Sequence, residues 1–311
     1  MSKLALIFPG QGSQTVGMGK NFFENADRAR EVFHSVDSIM EKSLSQICFE
    51  GPDVELTQTI HTQPAILTVS IIAYELLKSK TDIDFSFVAG HSLGEYSALY
   101  AAGVLDLESV VKLVKKRSEL MNNAPKGAMT AILGLSQDKV KEITDQASQN
   151  GVVTVANYNT MDQIVISGES AAVEYAGSLA KEAGAKRAIA LPVSGAFHSP
   201  LMKEPAAEFE KEVNQYTFNK ARIPVITNID AEPTTEGFDH KLVKQIYSSV
   251  MWTQTLQKMK DAGVDTFIEV GPGKILAGMV KKFDRKLRVY NVFDMESLET
   301  TLNVLSEKVN V

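Results

Sequence analysis

The sequence predicts an α/β protein in two parts, a larger α/β subdomain and a small ferredoxin-like one let into it. The apolar run Leu4-Ala-Leu-Ile-Phe8 reads as a buried strand that ends in the loop Pro9-Gly-Gln-Gly-Ser-Gln14, after which helical spacing takes over. From Ala128 the order becomes β-α-β-β-α-β, the split βαβ pattern. Beyond Gly195 the alternation of helix and strand returns. The breakers Pro125-Lys-Gly127 and Ser194-Gly195 bound the insertion, so the large subdomain spans 1–125 and 196–311 and the small one 126–195.

Between Pro64 and Lys78 apolar residues are too dense for an exposed helix, which places that helix in the centre. Phe85 to Gly90 reads as a short buried strand, followed by helices over 92–102 and 106–124, the second opening at Asp106 as N-cap and stopping before Pro125. In the insertion, strands are expected at 128–134, 152–158, 163–168 and 186–193, with helices at 136–149 and 169–184. After it come helix 199–215, strand 223–229, helices near 239–249 and 253–262, strand 265–270, helix 274–283, strand 287–293 and a last helix from Met295.

The chain has 311 residues, 44% hydrophobic and 23% charged, an ordinary globular composition. At about 100–200 residues per domain it can bury a full core without disulfides. One cysteine, Cys48, can form neither an internal disulfide nor a multi-thiolate metal site, which suits a cytoplasmic setting. Charges interrupt each long apolar stretch, so no membrane segment or signal core is expected. A net charge of −6 argues against a nucleic-acid binder and leaves room for a local basic patch.

Gly90-His91-Ser92-Leu93-Gly94 fits G-x-S-x-G between a strand and a helix, and with it the large subdomain reads as α/β-hydrolase-like. The two glycines permit a tight turn that lifts Ser92 clear of the sheet, and the Leu93 N–H can point at a developing oxyanion. The competing reading is a turn whose serine only caps the helix. A nucleophilic serine needs a base. His34 lies in an ordinary helix, His61 precedes one, His240 sits in a charged loop, and His91 diverges from Ser92 in the sharp turn. His198, in Ser194-Gly-Ala-Phe-His-Ser-Pro200, remains, on a loop able to overhang a cleft between the subdomains.

Arg117 falls within the apolar stripe Val110, Leu113, Val114, Leu120, Met121 and so faces inward. A guanidinium there needs an anion: a buried Asp or Glu, or a substrate carboxylate. Gly271-Pro-Gly-Lys274 and the glycines at 10, 12, 17 and 19 match no nucleotide-binding loop. Lys281, Lys282, Arg285, Lys286 and Arg288 cluster near the end, with Lys186 and Arg187 on the last strand of the insertion.

With Gly10-Gln-Gly-Ser-Gln14, Gly90-His-Ser-Leu-Gly-Glu95, Arg117 and Gly195-Ala-Phe-His198 together, the chain resembles the malonyl-CoA:acyl carrier protein transacylases of bacterial type II fatty-acid synthesis. Thr62-Gln-Pro-Ala65, Gln163-Ile-Val-Ile-Ser-Gly168, Gly184-Ala-Lys-Arg187 and Glu269-Val-Gly-Pro-Gly-Lys274 are similar to that family as well. The resemblance implies ping-pong acyl transfer, with Ser92 attacking the thioester of malonyl-CoA, His198 as base, and the carrier's phosphopantetheine thiol as acceptor. It implies an oxyanion hole from the N–H groups of Gln11 and Leu93, Arg117 on the malonyl carboxylate, and Gln63 and Asn159 near the site. Phe197 implies malonyl over methylmalonyl, and the carbonyl of Met251 is expected to orient His198 in place of a triad carboxylate. No cofactor is implied beyond the coenzyme A of the substrate and the phosphopantetheine of the carrier, no metal, and a monomer.

Two departures stand out: Met251 where relatives often have Gln or Arg, and the turn Asn159-Thr-Met-Asp-Gln163 without the usual Pro-Gly. The rival readings are a serine esterase or thioesterase, a malonyl transferase of a polyketide pathway, and a non-catalytic carrier-docking module. As a docking surface for an acidic carrier the basic residues Lys186, Arg187, Lys281 and Lys282 are the candidates.

Overall fold

The computed structural model describes residues 3–193 and 195–309, so the breaker Ser194 lies outside the described residues. Among the described residues there are ten strands: β1 Lys3–Phe8, β2 Phe87–Gly90, β3 Ala128–Leu133, β4 Val153–Thr160, β5 Gln163–Gly168, β6 Arg187–Ala190, β7 Val225–Ile226, β8 Pro233–Thr234, β9 Val264–Val270 and β10 Arg288–Val292. They form a six-stranded sheet in the order β10-β9-β1-β2-β7-β8 and a four-stranded sheet in the order β4-β5-β3-β6.

The large sheet is parallel except at its β7/β8 edge. Strand β1 explains why its sequence is apolar without alternation. Leu4, Leu6 and Phe8 enter one core cluster while Ala5 and Ile7 enter another on the opposite face, so both faces of the strand are covered. Helix Thr59–Ser79 is long and apolar enough to cross a membrane, yet 83% of its apolar window is buried inside the protein. It is the central helix that its residue density predicts.

The small sheet is antiparallel, and helices Gln137–Ala147 and Ser170–Glu182 cover it through Ile132, Val140, Ile143, Ile164, Ile166 and Val173. Its two sequence neighbours meet at the bridge Lys126↔Gly195. A second seam joins it to the large part: Val250 N donates to Ala156 O (2.8 Å) and Tyr158 N to Val250 O (3.0 Å).

Several expected elements are shorter than their apolar pattern, among them the strand at 186–193, which narrows to Arg187–Ala190. The stretch 199–215 divides into a 3₁₀ turn, Pro200–Met202, and helix Lys203–Val213. Strand 223–229 shrinks to Val225–Ile226, because Asn228 leaves the sheet to brace the nucleophile loop. Helix 239–249 ends at Gln245, which frees the carbonyls that follow.

Candidate active site

The turn after β2 is possible only with glycine at both ends. A Cβ on Gly90 would lie 1.8 Å from the Gly94 carbonyl carbon, and one on Gly94 would lie 2.1 Å from Phe8 O. Between them Ser92 takes a left-handed backbone (φ 51°), rare for a side-chain-bearing residue and a form of strain that neighbours must hold. Asn228 holds it. Its Oδ1 accepts from Ser92 N (2.7 Å) and its Nδ2 donates to Gly90 O (2.6 Å).

Ser92 Oγ stands 2.8 Å from His198 Nε2. His198 is 4% exposed, and its Nδ1 faces the carbonyls of Gln245 (2.8 Å) and Ser248 (3.1 Å). Carbonyls only accept, so the proton resides on Nδ1 and Nε2 is left to take the serine proton. Burial, then the field of Arg117, pushes the His198 pKa down to about 3, with the Gln245 carbonyl opposing. Met251 does not serve this role. Its carbonyl accepts from Thr255 N (2.9 Å) in the first turn of helix Trp252–Asp261, so the chain reversal after Gln245 supplies the orienting carbonyls instead.

Arg117, on helix Leu107–Asn122, is fully buried. Its Nη1 donates to Gln63 Oε1 (2.6 Å), and its Nη2 to Ser92 Oγ (3.0 Å) and Gln245 Oε1 (3.0 Å). The Tyr96 ring lies 5.4 Å from its guanidinium carbon. All three hydrogen-bond acceptors are neutral oxygens, so the inward-facing cation has no direct carboxylate partner. Burial lowers its pKa, an effect opposed chiefly by Tyr96 and Glu95.

The loop after β1 packs against the elbow, since a Cβ on Gly10 would lie 2.3 Å from His91 O. Among the described residues, the N–H groups of Gln11 and Leu93 donate to no protein acceptor. Asn159, on β4, meets His91 Nε2 through its Oδ1 (2.8 Å), which ties the small sheet to the elbow. Phe197 is buried, its ring 2.3 Å from where a Gly195 Cβ would stand. Of the other histidines, His61 is buried in helix Thr59–Ser79 between Lys42 Nζ (2.9 Å) and Glu55 O (3.0 Å).

Lys281 and Lys282 are exposed on helix Ile275–Phe283, and Lys282 Nζ reaches Gln163 Oε1 at 3.5 Å. Gln163 pairs with Leu133, and Leu133 with Arg187, so Lys186 and Arg187 close the same end of the small sheet.

Three residues with no role read from sequence complete the site: Glu95, Asn228 and Gln245. Gln245 donates Nε2 to Ser92 O (3.0 Å) and Glu95 Oε2 (2.6 Å), and Asn228 N donates to the same Glu95 oxygen (3.2 Å). The fully buried Glu95 had one signal in the sequence, a charge among Leu93, Tyr96, Ala98 and Leu99.

A half-buried serine with a buried, carbonyl-oriented histidine at a parallel-sheet elbow marks the class of proteins that pass acyl groups through a serine ester. Within that class the chain belongs to the acyl transferase domain family, whose model matches residues 5–298. It is 49% identical over 315 residues to the malonyl CoA-acyl carrier protein transacylase of Bacillus subtilis (strain 168), covering 99% of each chain. The solved malonyl CoA-acyl carrier protein transacylase of Coxiella burnetii superposes with a TM-score of 0.95 at 36% identity, over 97% of both chains. A malonyl transacylase solved with a type II polyketide synthase acyl carrier protein matches at a TM-score of 0.93 and 37% identity, over 97% of this chain and 99% of that one.

Proposed function

We propose that this protein transfers the malonyl group from malonyl-CoA to the phosphopantetheine thiol of acyl carrier protein. One observation carries the substrate class: a fully buried guanidinium, hydrogen-bonded only to neutral oxygens, touches the nucleophile itself. A buried cation without a direct partner is costly, and a planar fork suits a carboxylate, so an acyl group ending in carboxylate fits where an uncharged one does not.

In the first half-reaction Ser92 Oγ attacks the thioester carbonyl carbon while His198 Nε2 takes its proton. The oxyanion that forms accepts from Gln11 and Leu93 N–H, donors already free of protein acceptors. The C–S bond then breaks, and protonated His198 returns the proton to the departing coenzyme A sulfur. In the second half the carrier thiol gives its proton to His198 and attacks the Ser92 ester carbonyl; the bond to Ser92 Oγ breaks, His198 returns the proton to that oxygen, and the malonyl thioester of the carrier leaves. The names of the relatives, and the carrier-bound structure among them, support this choice of donor and acceptor. Coenzyme A acts as part of the substrate, the phosphopantetheine belongs to the carrier, and the protein works as a cytoplasmic monomer. Phe197, beside His198, favours malonyl over an α-branched acyl group. Lys186, Arg187, Lys281 and Lys282 form the docking face for an acidic carrier.

Initial rates at several carrier concentrations test the ping-pong order. Parallel double-reciprocal lines are expected, with activity lost in Ser92→Ala. Intersecting lines would mean direct transfer without a serine ester.

A further inference from the structure

Arg117 and Glu95 are two fully buried ionisable groups joined through a single side-chain amide. Arg117 Nη2 donates to Gln245 Oε1 (3.0 Å), and the Nε2 of the same amide donates to Glu95 Oε2 (2.6 Å). The orientation of that amide is fixed, because its nitrogen faces only acceptors, Ser92 O, Glu95 Oε2 and Asn228 Oδ1, while its oxygen faces a guanidinium. Gln245 therefore carries the charge of Arg117 toward Glu95, and its backbone carbonyl orients His198.

We propose that Glu95 is a positioning residue, the bridged counter-charge of Arg117, and that a substrate carboxylate arriving on Arg117 displaces this role and makes Glu95 take up a proton. The inference rests on malonyl as the acyl group. The geometry supports it because, among the described residues, the cation has no directly bonded carboxylate, and a second carboxylate beside it leaves one buried negative charge too many. Burial raises the Glu95 pKa to about 7, opposed by Gln245, Asn228 N and Lys241, so its proton is exchangeable near neutrality. The charged groups around Glu95 are Arg117 on helix Leu107–Asn122, Lys241 on helix Phe238–Gln245 and Asp230 on the turn after β7, with Tyr96 beside it. Lys241 and Asp230 pair with each other (2.7 Å). His198, at about 3, lies too low to exchange protons at pH 7.

The test is calorimetry of malonyl-CoA and acetyl-CoA binding to the full-length Ser92→Ala protein, in two buffers of different ionisation enthalpy at pH 7. Malonyl-CoA should take up about half a proton and acetyl-CoA none. Malonyl-CoA should also bind several-fold more weakly at pH 8 than at pH 6, with acetyl-CoA flat. Adding Glu95→Gln should abolish both the uptake and the pH slope while malonyl-CoA still binds. Uptake shared by both ligands, absent for malonyl-CoA, or persisting in Glu95→Gln overturns the proposal; should Glu95→Gln not fold, the comparison of ligands and of pH still decides it. Equal affinity for the two ligands at every pH would instead overturn the malonyl reading, and this inference with it.

Discussion

In the proposed function Arg117 selects the acyl group, and its fork is held by Gln63 and Gln245 with one edge against Ser92. A charge-assisted hydrogen bond contributes roughly 1.5–3 kcal/mol, so Arg117→Ala should lower kcat/KM for malonyl transfer about 10- to 150-fold. Acetyl transfer should change far less, and an equal loss for both would make Arg117 structural. His198 carries a second prediction. Its pKa is depressed to about 3, so the imidazole is neutral throughout pH 5–8, and the rate of Ser92 acetylation from acetyl-CoA should show no acid limb near 6.5. Such a limb, measured by rapid quench, would contradict the buried, carbonyl-oriented base. Ser92, His198 and Arg117 were legible from motif, context and helical stripe. The orienting carbonyl was not, since it depends on where a helix stops and how the chain reverses from Gln245 to Ser248, which residue types do not specify.

Among the elements, helix Ile275–Phe283 shows how a buried carboxylate can serve structure alone. Glu269, at the end of β9, accepts from Leu276 N (3.0 Å) and Ala277 N (2.8 Å), capping the helix from outside it, and from Asn291 Nδ2 (2.9 Å). Burial nevertheless raises its pKa from 4.5 to about 7. The folded state thus holds its proton more tightly than the unfolded chain, so this contribution to stability is full below pH 4.5 and is lost as pH rises through 7. The loss amounts to about 3 kcal/mol, and Glu269→Gln should remove that part of the pH dependence when denaturant unfolding is compared at pH 5 and 7.5. An unchanged slope would show that Glu269 is ionised in the fold. Strands β3, β4 and β5 of the insertion were readable as short, mostly buried runs bounded by turn residues, whereas β8 was missed: two residues, Pro233–Thr234, carry no periodicity. Asn228 was missed for a related reason, since a polar residue just past a strand reads as loop until the elbow it braces is in place.

Across the whole molecule, a net charge of −6 would repel an acidic carrier unless a local face were basic. Lys281 and Lys282 stand next to the end of the small sheet that holds Lys186 and Arg187, as continuity through Gln163 and Leu133 shows. Charge reversal at Lys281 and Lys282 should raise KM for the carrier several-fold and leave KM for malonyl-CoA unchanged. An equal effect on both would place carrier docking elsewhere. The two-part architecture was plain from the change of pattern at Ala128 and its return after Gly195, while the seam between the parts, Ala156 and Tyr158 on Val250 and Asn159 on His91, could be seen only in three dimensions.

The central claim is a serine-bound malonyl group passed to a carrier thiol, and intact-protein mass spectrometry reads it directly. Mixed with malonyl-CoA, the wild type should gain a malonyl adduct that Ser92→Ala does not, and carrier protein bearing its phosphopantetheine should discharge it with the malonyl group appearing on the carrier. An adduct lost to water at the same rate with or without carrier would contradict transfer and describe a hydrolase, and no adduct would contradict catalysis through Ser92.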